Sequence, residues 1–271
     1  MPFQPTLSTQ GRAVQNGVAR DIHRTLPEEV PVAVVFNGST LAVMMATPQD
    51  IADFAHGFAW TEGAVTDASQ IERFEIVEHE AGIEARFWLC DDRAKVLATR
   101  RRAMAGPVGC GLCGIDSLDQ ALRPVPQVQS DLVFAASEVA AATDQLRTHQ
   151  PLHDQTRAVH AAGLLLPGQG IILAREDVGR HNALDKLIGA ARGDIDLSQA
   201  AIVMTSRVSV ELVQKTAIAG CPILIAVSAP TVQALRVAET AGITVAAFAR
   251  GGGFDVYSHP QRILDEVPDV A

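Results

Sequence analysis

The second half of the chain alternates short strands and helices with little slack between them. Ala201 to Met204, Ile223 to Val227 and Ile243 to Phe248 are apolar runs of strand length. Val208 to Ala219 and Thr231 to Ala241, which separate them, carry helical spacing, and Asn182 to Ala191 is a further helix upstream. Strands joined through helices pair in parallel, and the resulting sheet is covered on its faces. The repeated unit therefore restricts the fold to a layered α/β architecture with a largely parallel sheet. Ahead of it, Ala135 to His149 reads as a helix ending before Pro151. Gly163 to Leu166 and Ile171 to Ala174 read as a strand pair around Pro167-Gly168.

The first half has a different pattern. Val32 to Phe36 and Leu41 to Met45 flank Asn37-Gly38, a strong hairpin signal. Thr47-Pro48 then predicts a helix start, with Thr47 as N-cap and Pro48 at the first position. Ile51, Phe54, Ala55 and Phe58 follow at helical spacing up to Gly63. Ile71 to Val77 and Ile83 to Leu89 are two more strands, split at Ala81-Gly82, giving a smaller α+β unit. The stretch from Arg123 to Gln129, with Pro124 and Pro126, reads as a linker with little to contribute to a core. It divides residues 1–125 from residues 126–271.

Charge and composition exclude several functions. A net charge of −9 lacks the basic surface that sequence-independent nucleic-acid binding needs. Aromatic residues are only 4%, which disfavours a stacking platform for bases. No run approaches the about 20 apolar residues of a membrane-spanning helix, and Met1 to Val14 has no apolar signal-peptide core. A cytoplasmic protein is expected. The cysteines, Cys90, Cys110, Cys113 and Cys221, are too few for a disulfide framework.

Ligands of open parallel sheets bind beyond the carboxyl ends of the strands. Four polar loops fall there: Arg175 to Asn182, Thr205-Ser206-Arg207, Ser228 to Thr231, and Ala249 to Gly253. Two of them are expected to open helices, whose free N–H groups favour anions, and the glycines after Arg250 permit close backbone approach. A plainer reading makes Ser228 and Thr231 simple caps and the glycines a turn. No Gly-x-Gly-x-x-Gly follows a strand and no Walker loop is present. Asp177, His181 and Asp185 share an i, i+4 spacing that suits either acid–base chemistry or a salt-bridged first turn. Asp185 and Lys186 read as structural; Asp177 and His181 stay open.

The sharpest motif is Gly109-Cys110-Gly111-Leu112-Cys113-Gly114, just past Arg100 to Arg102. Its glycines disfavour helix, and the arginines favour the nucleophilic thiolate. Half a zinc site, a dithiol redox pair and a sulfur carrier all fit a Cys-x-x-Cys. Zinc needs four ligands, and no second Cys-x-x-Cys or Cys-x-x-His follows, so no metal site is expected. Cys90, beside Trp88 and Leu89, and Cys221, before Pro222, read as buried apolar residues.

The Cys110 to Gly114 run, Arg175 to Lys186, Ser206 to Lys215, Ser228 to Thr231 and Phe248 to Ile263 together resemble the formate dehydrogenase accessory sulfurtransferase family, FdhD. Asn37-Gly38, Thr47-Pro48, Gly57-Phe58 and Glu62-Gly63 extend the resemblance to roughly residues 28–264. It implies a cytidine-deaminase-like three-layer C-terminal domain with a smaller α+β N-terminal domain, in a cytoplasmic homodimer. It implies transfer of sulfur from a cysteine desulfurase to the bis-molybdopterin guanine dinucleotide molybdenum cofactor, for formate dehydrogenase. By position, Cys110 would bear the persulfide with Cys113 assisting. Phe248, Ala249, Arg250, Gly251, Gly252 and Gly253 would meet the cofactor, joined by Ser206, Arg207 and Ser228 from the neighbouring loops. Arg157-Ala158 and Asp255 depart from the family's usual residues and bear on the pocket's shape. A deaminase-like fold does not imply deamination, since fold is not function; the zinc-deaminase pattern is absent. A cofactor chaperone that transfers no sulfur is the competing function, and a cycling dithiol oxidoreductase a third.

Overall fold

The computed structural model describes residues 3–104 and 124–265. The first half begins with β1 (Thr6–Gln15) and β2 (Val18–Pro27), an antiparallel hairpin apart from every other sheet. Its turn is Asn16-Gly17, both at positive φ, the same Asn-Gly signal that marks the second hairpin. There, β3 (Val30–Phe36) and β4 (Ser39–Ala46) turn through Asn37-Gly38, as expected. With β5 (Ile71–His79) and β6 (Gly82–Leu89) they form a four-stranded sheet in the order β4-β3-β6-β5, in which β3 and β6 are parallel.

Helix α1 (Ile51–Thr61) lies on this sheet. Ile51, Phe54, Ala55, Phe58 and Ala59 are buried against Val32, Val34, Ala85 and Phe87. Its start corrects the expected cap. Asp50, in the left-handed region, precedes the helix, and Thr47 does not cap it. Thr47 is fully buried and spends its polar atoms elsewhere: its N–H donates to Asp177 Oδ2 (3.0 Å), and its Oγ1 accepts from the Val178 N–H (3.1 Å). A long-range bond replaces the local one that the sequence suggested. Helix α2 (Asp91–Met104) follows β6. Cys90 sits just after that strand and is only partly buried, which corrects its expected place inside it.

The second half contains β7 (Phe134–Ala135), α3 (Ala136–Arg147), α4 (Pro151–Thr156), β8 (His160–Leu166), β9 (Gly170–Asp177) and α5 (Arg180–Ala191). It continues with β10 (Ala201–Met204), α6 (Val210–Ile218), β11 (Ile223–Ala226), α7 (Val232–Ala241), β12 (Thr244–Arg250) and β13 (Gly253–Ser258). A last strand, β14 (Ile263–Leu264), pairs with β7. The main sheet runs β13-β12-β11-β10-β8-β9. Only β10, β11 and β12 form parallel pairs; β8 and β13 are antiparallel to their neighbours, so the sheet is mixed.

Strand periodicity sorts the core into two layers. Ile202, Met204, Leu224 and Ala226 face α5, α6 and α7, while Ala201, Val203, Ile223 and Ile225 face α3. Both faces are covered, which is why these strands read as unbroken apolar runs. The proline-rich segment does contribute to the core, contrary to expectation. Val128 is buried among residues of the α5–α7 layer, and its N–H bonds to the Ala241 carbonyl.

The two halves meet helix to helix. A Cβ on Gly57 of α1 would lie 1.8 Å from the Asp185 carbonyl oxygen of α5, and one on Gly189 would lie 1.9 Å from that of Asp53. The two backbones touch, and only glycine allows it. Gly57→Ala should destabilise the protein by about 1–3 kcal/mol or more, because the obstacle is backbone rather than a movable side chain. Denaturant unfolding of the variant checks this; an unchanged midpoint would contradict it.

Candidate functional site

Because β8 is antiparallel to both β9 and β10, strands β9, β10, β11 and β12 all run the same way. Their carboxyl ends share one edge of the sheet, as the sequence predicted. The loops after β10 and β11 are stitched together there. Val208 and Pro230 form a parallel bridge, the Val208 N–H donates to the Ala229 carbonyl and the Thr231 N–H to the Val208 carbonyl. The Phe248 N–H donates to the Ser228 carbonyl (3.4 Å), which joins the end of β12 to the same edge. Ser228 and Phe248 are thus direct neighbours, and Arg207 lies one stitch away.

The predicted residues are placed unequally. Helix α6 begins at Val210 with Ser209 as its N-cap residue, so Ser206 and Arg207 precede the helix rather than opening it. Ser206 is buried, and its hydroxyl donates to the Arg207 carbonyl (2.9 Å), a local turn. Arg207 is exposed, Ser228 partly buried. Thr231 caps α7, its Oγ1 accepting from the Ala234 N–H (3.1 Å). Gly251 and Gly252, both at positive φ, form the tight turn joining Arg250 to Gly253 in the β12–β13 hairpin. Ala249 is buried, and its carbonyl accepts from Thr143 Oγ1 (2.8 Å). Arg250 and Gly253 are exposed.

Phe248 is the unusual member. Its φ is 53°, a region costly for a bulky side chain, and the β12–β13 ladder is irregular at this point. Phe248 is 38% exposed, and its ring centroid lies 6.4 Å from that of Tyr257, which is also exposed. Low aromatic content hid this pair; a local pair needs only two rings. Exposed Phe248, Arg207 and Arg250 on one edge suit a ligand with a flat ring and negative charge.

Asp177 is a structural pin. Its Oδ1 accepts from the Gly179 N–H and Asn182 Nδ2, and its Oδ2 from the Thr47 N–H, with Lys186 Nζ at 2.7 Å. A carboxylate so filled has no lone pair left for a substrate proton. Asp177 ends β9 rather than starting the helix, so the expected i, i+4 face with His181 and Asp185 does not form. Lys186 also donates to the Thr47 and Glu176 carbonyls. Asp185 meets Lys215 with both oxygens at 2.9 Å and accepts from Thr61 Oγ1 (2.7 Å). The long runs Arg175 to Lys186 and Ser206 to Lys215 thus join the halves as well as border the edge.

His181 lies on that edge, with Nε2 3.3 Å from Ser209 Oγ and 3.6 Å from Glu211. Burial, reinforced by the Arg180 charge, pushes its pKa down to about 4, so it is neutral at physiological pH. Among the described residues no cluster could hold a metal ion, and no helix is long and apolar enough to cross a membrane.

Cys110 and Cys113 lie outside the described residues. Cys221 is buried, and burial pushes its thiol up to about 12. Alkylation at neutral pH should leave Cys221 unmodified in the folded protein and label it after denaturation. Peptide mapping checks this, and labelling of Cys221 in the folded chain would contradict its burial.

Comparison with known proteins accords with this architecture. A family model described as the FdhD/NarQ family matches residues 27–264. A protein of Agrobacterium fabrum named sulfur carrier protein FdhD is 48% identical over 254 residues, covering 93% of this chain and 94% of its own length. One of the same name from Cupriavidus necator is 50% identical over 240 residues, covering 88% and 83%. The crystal structure of a candidate formate dehydrogenase accessory protein from Desulfotalea psychrophila superposes with a TM-score of 0.77 at 24% identity, covering 96% of this chain and all of that one. The family match over most of the chain and relatives near half identical lead to one conclusion: the chain belongs to the FdhD/NarQ family.

Proposed function

We propose that this chain is a sulfur carrier serving formate dehydrogenase. The observation that carries the reading is Cys110-Gly-Leu-Cys113-Gly114 in a chain whose relatives bear the name sulfur carrier protein FdhD. The Cys110 thiolate attacks the outer sulfur of a cysteine desulfurase persulfide, taking that sulfur and releasing the donor's thiolate. Attack of Cys113 on the inner sulfur of the Cys110 persulfide then forms a Cys110–Cys113 disulfide and frees hydrosulfide for the acceptor. A thiol reductant resets the pair. The acceptor is the molybdenum cofactor with its two guanine dinucleotide arms, handled as substrate. Phe248 offers a guanine a stacking face, and Arg207 and Arg250 offer cations for its phosphates.

The chain works in the cytoplasm as a homodimer in this reading. Its second half takes a cytidine-deaminase-like arrangement; a sheet with α3 on one face and α5 to α7 on the other supports that reading. Purification from cells that make the cofactor tests the binding step. Molybdenum and guanine nucleotide should accompany the chain and be lost from Phe248→Ala. Absence of both from the unaltered chain would overturn the cofactor as substrate.

A further inference from the structure

The β1–β2 hairpin has an apolar face that its own chain leaves largely uncovered. Ten residues in each strand make an arm about 33 Å long, at about 3.3 Å per residue. β2 packs against α4, and neither strand joins another sheet. A two-stranded hairpin is marginal in water unless one face packs on something else. Almost all of it precedes residues 27–264, the stretch that the family model matches, so family membership assigns it no role.

The register gives the arm two unlike faces, since cross-strand partners share a side. Leu7 with Leu26, Gly11 with Ile22, Ala13 with Arg20 and Gln15 with Val18 fall on one side, together with Thr9 and Arg24. Leu7 is 58% exposed and Val18 70%. Arg20 and Arg24 stand in the same apolar run, exposed and with no ion pair among the described residues. The opposite side holds mostly polar pairs, such as Gln10 with His23 and Arg12 with Asp21. Apolar side chains interleaved with arginine are the composition of a protein interface.

A complementary surface lies on the same chain. β5 is an edge strand of the four-stranded sheet, and no strand pairs with its outer side among the described residues. Ile76 and Glu78, two positions apart, share one face of it, and Ile76 is 41% exposed. Glu72, Glu78 and Glu80 are exposed and form no ion pair among the described residues, whereas Glu75 and Glu84 are answered by Arg86. Edge glutamates repel a second β5 and discourage pairing of like edges. They attract a strand that carries arginines. The hairpin is that strand pair: it holds Arg12, Arg20 and Arg24 against Asp21 alone, in a chain of net charge −9. So small an excess of positive charge suits an acidic protein surface better than nucleic acid, which rewards many phosphate contacts. Within one chain the hairpin and β5 belong to separate sheets.

We propose that the β1–β2 arm docks on the β5 edge of a second copy of this chain, its apolar face inward and Arg20 and Arg24 toward Glu78 and Glu80. Each copy gives one arm and receives one, so two equivalent contacts close a two-fold dimer. The apolar run supplies the cover that the hairpin lacks alone, and the charges select arm against edge over edge against edge. This rests on the homodimer of the proposed function and names the surfaces that hold it.

The test is sedimentation equilibrium of the full chain and two charge-reversed variants. One carries Arg20→Glu with Arg24→Glu on the arm, the other Glu78→Lys with Glu80→Lys on the edge. The unaltered chain should be a dimer, and each variant alone should raise its dissociation constant by about tenfold or more, because like charges then face each other at both contacts. An equimolar mixture of the two variants should regain the affinity of the unaltered chain. In the mixed pair an acidic arm meets a basic edge, and a basic arm meets an acidic one. Should the arm variant fail to fold, Val18→Asn at the exposed tip should weaken the dimer as well. A dimer that the arm substitutions leave intact, or a mixture that does not pair, overturns the arm contact and leaves the homodimer standing. An unaltered chain that is monomeric at every concentration overturns both.

Discussion

Replacing Lys215 by methionine should remove about 3–5 kcal/mol of stability, the range seen when one member of a buried ion pair is lost. Lys215 and Asp185 are 5% and 1% exposed, and the lysine Nζ lies 2.9 Å from both carboxylate oxygens. It also reaches Thr61 Oγ1 (2.9 Å) and Glu62 Oε1 (3.1 Å), so one ammonium ties α6 to α5 and to the end of α1. Methionine fills similar volume and leaves the carboxylate of Asp185 without its cation. Replacing Asp185 by leucine in the same chain should recover part of the loss, since an apolar pair leaves no charge behind. Equilibrium unfolding in urea measures both. A Lys215→Met midpoint matching the unaltered chain would show that this bridge does not hold the halves together.

Cys110→Ala should reduce restored formate dehydrogenase activity to background in a strain lacking its own family member. Alanine offers no sulfur to carry the transferred atom. Cys113→Ala should be milder, because an external thiol can release hydrosulfide from the Cys110 persulfide. Restoration by Cys110→Ala at the level of the unaltered chain would move the function to cofactor chaperoning. The activity of the strain's formate dehydrogenase is the readout.

The fold was largely legible where patterns were local. Ala201 to Met204 is a strand with the expected ends, and the α7 cap at Thr231 was readable from one residue. The Asn16-Gly17 hairpin was equally readable by the rule applied at Asn37-Gly38. What local pattern could not reveal was long-range bonding. Thr47 looks like a cap until Asp177, 130 positions away, claims its N–H. Gly57 and Gly189 look like weak points in helices until their helices cross. At the edge, spacing located the four loops, while the φ of Phe248 arises only in three dimensions. The cysteine motif was legible as chemistry and gained its specific reading from family resemblance.

Intact-protein mass after incubation with a cysteine desulfurase and cysteine tests the carrier role most directly. The account predicts a gain of one sulfur atom, removed by a thiol reductant and absent from Cys110→Ala. An unchanged mass, or the same gain in Cys110→Ala, would contradict it.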